Sequence, residues 1–184
     1  MSKNSLFLVF AAPHDGQEDA FNSWYSDTHI PDVLRAPGAE SAQRFQLEHQ
    51  SGAPLTDYLA IYQMSDPASA FADIGRRAGS ADMVISPALK SAAVRSINFE
   101  LAEGGCPSDA PAYLVALWDK DTASAPQGSP SLAVLKRSDV QSRAGDLPPY
   151  AAIAALSEGD TAAQIAALTA KLSGASSIVI ARPL

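Results

Sequence analysis

Residues 6–12, LFLVFAA, form a continuous apolar run closed by Pro13, and the order in which such runs alternate with helical segments constrains this chain more than any other feature. A run of this length with Val and Phe reads as a buried strand. Over residues 17–34, Phe21, Trp24 and Tyr25 recur at three- and four-residue spacing, which gives a helix one apolar face; Pro31 is expected to end or kink it. Ala36-Pro37-Gly38 is a turn signal. Strands are expected at 41–48 and 57–64, with Ser51-Gly52-Ala53-Pro54 as the turn between them. Asp66 before Pro67 suits a helix start, Asp as the cap and Pro in the first turn. That helix carries Phe71 and Ile74, a second helical piece is expected over 80–89, and 92–101 closes the set as a strand. The order is β-α-β-β-α-β, the ferredoxin-like arrangement.

Glu103-Gly104-Gly105-Cys106-Pro107-Ser108 is the best linker in the sequence, and we place it at 104–110. It separates a first half, 1–103, from a second, 111–184. In the second half, strands are expected at 112–118, 131–137, 150–156 and 176–181. A helix is expected over 160–172, where Ile165, Leu168 and Leu172 share a face and Asp160 or Thr161 caps the start. Residues 119–130 are rich in Ser, Ala, Pro and Gly and lack helical periodicity. The second half therefore reads as β-β-β-α-β, a ferredoxin-like unit whose first helix is a loop. A four-stranded sheet with helices on one side needs cover for its other face. Two such sheets in one chain answer that need by packing together, or closing, as an intrachain α+β barrel with a cavity at the junction.

Composition narrows the partners. Hydrophobic residues make up 47% and charged residues 18%, enough apolar material for a core. The formal net charge is -7 with scattered Lys and Arg, which argues against nucleic acid and anionic membrane as partners. The first apolar run is too short for a membrane span and lacks a cleavage signal, so a cytoplasmic location is the default expectation. The single cysteine, Cys106, forms neither an internal disulfide nor a Cys-rich metal site. Three dispersed histidines, His14, His29 and His49, give no metal-binding spacing, and phosphate-loop, dinucleotide and Gly-x-Ser-x-Gly patterns are lacking. No metal and no cofactor are expected.

The densest chemistry lies between Phe21 and Phe45. Trp24, Tyr25, Asp27, His29 and Asp32 fall within nine residues. On a helix Tyr25 and His29 are i,i+4 neighbours. A histidine near a helix end, with carboxylates close by, has a proton affinity that small changes move across neutral pH, as a general acid or base requires. The same His29 serves equally as a helix cap. Trp24 is core or a ligand platform, and Asp27 and Asp32 are capping groups or site groups. Strand alternation sends Arg44 and Phe45 to opposite faces, so Arg44 either looks into a cavity or is solvated. Tyr58 and Tyr62 share a strand face, with Ala60 between them.

The pattern W-Y-x-x-x-H-I-P-D-V-x-x-x-P-G, running from Trp24 to Gly38 and leading into Ser41-Ala42-Gln43-Arg44-Phe45, resembles the EthD-like branch of the dimeric α/β-barrel superfamily. The strand at Tyr58–Tyr62 extends the likeness. Beyond the linker it rests on element order. The resemblance implies a ferredoxin-like unit whose sheet meets a second sheet, usually across a homodimer; here the second half of the chain is expected to supply it. Superfamily members include cofactor-free monooxygenases, lactone isomerases, polyketide cyclases and haem-binding enzymes. By analogy His29 faces the cavity and moves protons on a small hydrophobic substrate.

The expected function is proton transfer at a carbon next to a carbonyl, of isomerase, cyclase or lyase type. The catalytic set is His29, Tyr25 and Arg44. Trp24, Tyr58, Tyr62 and Asp32 are expected to bind substrate. Two rivals stand beside this reading: a non-catalytic small-ligand-binding protein and a cofactor-free monooxygenase.

Overall fold

A computed structural model describes residues 5–103, 110–120, 132–141, 147–159, 162–172 and 174–184. The strands are β1 (Ser5–Ala11), β2 (Ala39–Gly52), β3 (Tyr58–Met64), β4 (Arg95–Glu103), β5 (Ala112–Trp118), β6 (Leu132–Arg137), β7 (Tyr150–Leu156) and β8 (Ser177–Pro183). They close into one antiparallel barrel in the order β1-β3-β2-β8-β5-β7-β6-β4. Within that ring β4-β1-β3-β2 and β8-β5-β7-β6 repeat the same sub-order. The two sets join where β2 pairs with β8 and β4 with β6, so closure consumes the sheet edges that would otherwise invite pairing. The α+β barrel expected from the sequence is the observed architecture. The linker glycines and most of the loop over 119–130, which was expected to replace a helix, lie outside the described residues, as do the expected caps Asp160 and Thr161.

Alternation divides the strand residues between two environments. Leu6, Leu8 and Phe10 of β1, Phe45 of β2, Leu59 of β3, Ile97 and Phe99 of β4 and Tyr113, Val115 and Leu117 of β5 belong to one buried cluster lining the barrel interior. Phe45 and Tyr113 meet edge to face there, their rings 5.4 Å apart. The outer faces carry two further clusters. One lies under α4 (Ala162–Lys171), where Ile165, Leu168 and Leu172 pack toward Leu114, Ile178 and Ile180. The other lies under the first set of helices and holds Phe7, Tyr58, Ala60, Tyr62 and Met64.

Those helices are α1 (Glu18–Trp24), a π-helical turn (Tyr25–His29), α2 (Ile30–Leu34) and α3 (Pro67–Arg77). Asp66 caps α3, its side chain accepting from the Ser69 N–H at 3.1 Å. The helix expected over 80–89 does not form. Ser80 and Ser86 instead accept hydrogen bonds from the Asp82 and Ala88 N–H groups, a competition that Ser wins readily outside helices. The segment runs as an irregular strap tied to the end of β1, where the His14 N–H donates to the Ala88 carbonyl and the Lys90 N–H to that of Ala12. Among the described residues no helix is long and apolar enough to cross a membrane.

The expected turn at Ser51-Gly52 is also strand. β2 pairs with β3 through Gln46 and with β8 through Gly52, bending at an irregularity between His49 and Ser51. Gly52 has φ +82°, and a Cβ there would lie 2.2 Å from the Ser176 carbonyl oxygen. Gly52→Ala therefore combines left-handed strain with a backbone clash at the β2–β8 seam. Gly16 has φ +75° but open space around it, so Gly16→Ala carries only the conformational cost of about 1 kcal/mol. Urea denaturation should show Gly52→Ala to be clearly the more destabilised of the two.

Candidate functional site

The first helical stretch runs Glu18 to Leu34 with one widened turn in the middle. The Ile30 N–H reaches the Tyr25 carbonyl, five residues back. Pro31 explains the widening: it has no N–H for the Asp27 carbonyl, and its ring would press on that turn of a regular α-helix. The helical path therefore continues past Pro31 instead of ending there. Such π-turns are frequent at functional sites. This one sets Tyr25 and His29 against each other, rings 4.9 Å apart at 78°. His29 also stacks on Trp24 at 4.7 Å.

Arg44 lies opposite Phe45 on β2. Phe45 faces the barrel interior, so Arg44 faces outward. The sequence reading equated that outer side with solvent; here helices cover it, and Arg44 is 6% exposed. Its guanidinium lies 4.5 Å from the Tyr25 ring centroid, 5.3 Å from that of Phe21 and 5.6 Å from that of Tyr58. It donates to Asn22 Oδ1 at 2.7 Å, to the Asn22 carbonyl at 3.2 Å and to Ser26 Oγ at 2.9 Å. Asn22 Nδ2 in turn donates to the Tyr58 hydroxyl at 3.2 Å. Among the described residues no carboxylate pairs with Arg44. Burial lowers its proton affinity and the three tyrosines oppose this, yet a guanidinium stays charged throughout the physiological range.

Tyr25, Tyr58 and Tyr62 are buried beside it. Burial raises the ionisation of the Tyr25 and Tyr62 phenols above its ordinary range, so both are protonated donors. The two hydroxyls influence one another, but the contact falls outside good hydrogen-bond geometry. Both oxygens are sealed from solvent without a partner, as is His29 Nδ1. Burial pulls the His29 imidazole down to about 4, with Asp32 opposing and Arg44 reinforcing the shift. His29 is thus a neutral imidazole at neutral pH. Asp32 sits at the edge, paired with Arg35 at 3.0 Å, and its carbonyl accepts from Arg77 at 2.9 Å.

The strap closes the outer side. Trp24 Nε1 donates to the Val84 carbonyl at 3.1 Å, Arg35 donates to the Asp82 carbonyl, and Met83 is fully buried in the same cluster as Tyr25. The structure thus gathers Trp24, Tyr25, His29, Arg44, Tyr58 and Tyr62, with Asp32 at the margin. It gathers them between helices and sheet, not at the seam between sheets where the sequence reading put the cavity. Two members were missed, Asn22 and Ser26. Their signal was present: they are i,i+4 neighbours directly following Phe21 and Tyr25, which share the same spacing.

Comparison with protein-family models and with curated protein sequences gives no match. Solved structures do match. An anthrone oxidase-like protein aligns over all of this chain and 92% of its own, with TM-score 0.51 and 13% identity. A protein assigned as a chlorite dismutase aligns over all of this chain and 96% of its own, with TM-score 0.58 and 12% identity. A variant of the chlorite dismutase from Candidatus Nitrospira defluvii gives TM-score 0.51 and 8% identity, over all of this chain and 91% of that one. This chain has the dimeric α/β-barrel fold. In this dimeric α/β-barrel a single polypeptide supplies all eight strands.

The resemblance carried by the Trp24–Phe45 pattern implies haem-binding enzymes among its members, and haem iron needs an axial side chain in an open slot. His29 has one ring face against Trp24 and its Nδ1 sealed, while His14 and His49 are surface residues. Among the described residues the histidines do not fit a haem.

Two stability measurements follow. Tyr62→Phe removes an unpartnered buried hydroxyl and should leave stability unchanged or slightly raised, whereas Tyr58→Phe breaks the bond from Asn22 and should cost about 1 kcal/mol. The His29 imidazole takes a proton at its ordinary pH near 6.5 when unfolded but only near 4 when folded. Its contribution is therefore complete above about pH 6.5 and lost as pH falls toward 4, on the order of 2 kcal/mol given its partial contact with water. Chemical denaturation across that range should show the loss in the parent and a flatter profile in His29→Gln.

Proposed function

We propose that this protein is a cofactor-independent enzyme that moves a proton on a carbon next to a carbonyl in a small, largely apolar, oxygenated substrate. The observation that carries the reading is a neutral, half-buried imidazole packed against Tyr25, in a cluster where His29 Nδ1 and the Tyr25 and Tyr62 hydroxyls are all enclosed without partners. A neutral imidazole accepts the substrate C–H proton, and the C–H electron pair moves into the enolate whose oxygen takes the negative charge. Tyr25 and Tyr62, both protonated, donate to that oxygen, and Arg44 lends its charge through the layer below. Return of the proton from His29 to a different carbon completes an isomerisation. Trp24 flanks the base, Tyr58 holds Asn22, and Asp32 tempers the imidazole. The EthD-like assignment belongs to the same proposal and rests on the pattern from Trp24 to Phe45, as does the division into halves 1–103 and 111–184 joined by 104–110. A homodimer of this chain would use helices or loops, since its sheet edges are already paired.

A second reading has one specific support, the likeness to an anthrone oxidase-like protein. An enolate formed by the same first step can react with dioxygen, and loss of water from the resulting hydroperoxide gives a ketone. Both readings are tested together by incubating the protein with small cyclic ketones, anthrone among them, in D2O while recording deuterium wash-in by NMR and oxygen uptake by electrode. Exchange without oxygen uptake is expected for the first reading and oxygen uptake for the second. His29→Gln should lower either by about 100-fold or more with little change in melting temperature. No exchange or uptake above buffer would favour a ligand-binding role without catalysis, and full activity in His29→Gln would overturn the role of His29 as the base.

A further inference from the structure

A buried cation normally acquires a buried carboxylate. Arg44 has none among the described residues. Its fork is filled by neutral oxygens, two from Asn22 and one from Ser26, and its face by aromatic rings. Neutral ligands hold the guanidinium in place without cancelling its charge. Two phenol hydroxyls, those of Tyr25 and Tyr62, feel that charge, and both are enclosed without a hydrogen-bond partner. Even if those hydroxyls bonded to each other, one O–H would remain unspent. Spare donors beside an uncompensated positive charge are what an oxyanion needs.

We infer that Arg44, held by Asn22 and Ser26, and the Tyr25 and Tyr62 hydroxyls form a binding site for a planar oxyanion of the phenolate or enolate class, and that Asn22 is the positioning residue that sets the site's charge preference. This deepens the proposed function and rests on the same site, but it does not depend on His29 acting as a base. The titratable groups nearest the two phenols are each other, Arg44 on β2 and, against the Tyr25 ring, His29 on the π-turn, with Asp32 beyond it on α2 and paired to Arg35. With Asp32 paired and His29 neutral, Arg44 provides the net charge next to the hydroxyls. The aromatic surroundings of Phe21, Trp24 and Tyr25 suit a flat ring.

Asn22→Asp is the decisive variant. It keeps the size of the side chain, retains an acceptor for Arg44 and lets the Tyr58 hydroxyl donate in place of accepting. It adds only the missing negative charge. The full-length protein is titrated with 4-nitrophenol, whose ionised form is seen in the visible spectrum, at a pH below that ligand's own pKa. 4-Nitroaniline, of the same shape and uncharged, is the control. In the parent, bound 4-nitrophenol should appear as the phenolate and bind about tenfold or more tightly than 4-nitroaniline, as a favourable neighbouring charge requires. In Asn22→Asp that preference should vanish while thermal unfolding stays cooperative, and in Tyr62→Phe it should weaken. In His29→Gln it should persist even if proton exchange is lost, which separates failure of the binding site from failure of the base. Binding of the phenol in its neutral form, no binding by the parent, or an undiminished preference in a folded Asn22→Asp protein would overturn the inference.

Discussion

Arg44 is a permanent charge placed under a helix, and its burial dictates much of what surrounds it. A guanidinium removed from water must recover its hydrogen bonds and some of its electrostatic solvation. Asn22 and Ser26 supply the bonds, and the faces of Phe21, Tyr25 and Tyr58 supply quadrupolar attraction of roughly 1–2 kcal/mol. These partners come from α1, the π-turn and β3, so one side chain on β2 fixes how the helix sits on the sheet. The helix in turn fixes Tyr25 and His29. Among the described residues Arg44 has no counterion, so its positive field reaches the enclosed Tyr25 and Tyr62 hydroxyls.

The barrel divides its labour by strand parity. Inward residues such as Leu8, Phe45 and Val115 make an apolar interior in which nearly every side chain is aliphatic or aromatic. Outward residues of the first set carry the polar chemistry, because helices and the strap shelter that face from water while the helix supplies polar partners. β2 connects the two worlds: Phe45 and Leu47 face in, Arg44 faces out, and the far end of the strand joins β8 to complete the ring. A defect at Gly52 therefore acts on closure, whereas a defect at Arg44 acts on the site.

Much of this was legible from residue order. The runs at 112–118 and 150–156 are bounded by turn chemistry on both sides and coincide with β5 and β7. Pro13 and Asp66-Pro67 marked real boundaries for the same reason. The strap was not legible, because Met83, Val84 and Ala88 imitate helical spacing while the serine hydroxyls take the backbone bonds that a helix would need. The π-turn was hidden as well: Tyr25 and His29 are four apart in either kind of helix, and only the Tyr25–Ile30 bond distinguishes them. Alternation set Arg44 and Phe45 on opposite faces but left open which of them looks inward, and the outer face was equated with solvent, since a single sequence does not say which sheet face the helices cover. Asn22 and Ser26 looked like the solvated side of a helix until the cation beneath them was seen.

The proposed chemistry depends on His29 being a neutral, desolvated imidazole held against Tyr25 beside the Arg44 charge. The most direct measurement is an NMR titration of the 15N-labelled His29 ring in the folded protein. Ring shifts that stay those of a neutral imidazole through pH 6 and move only near pH 4 would agree with this account. A midpoint near the ordinary histidine value of about 6.5 would show a solvated surface ring and contradict it.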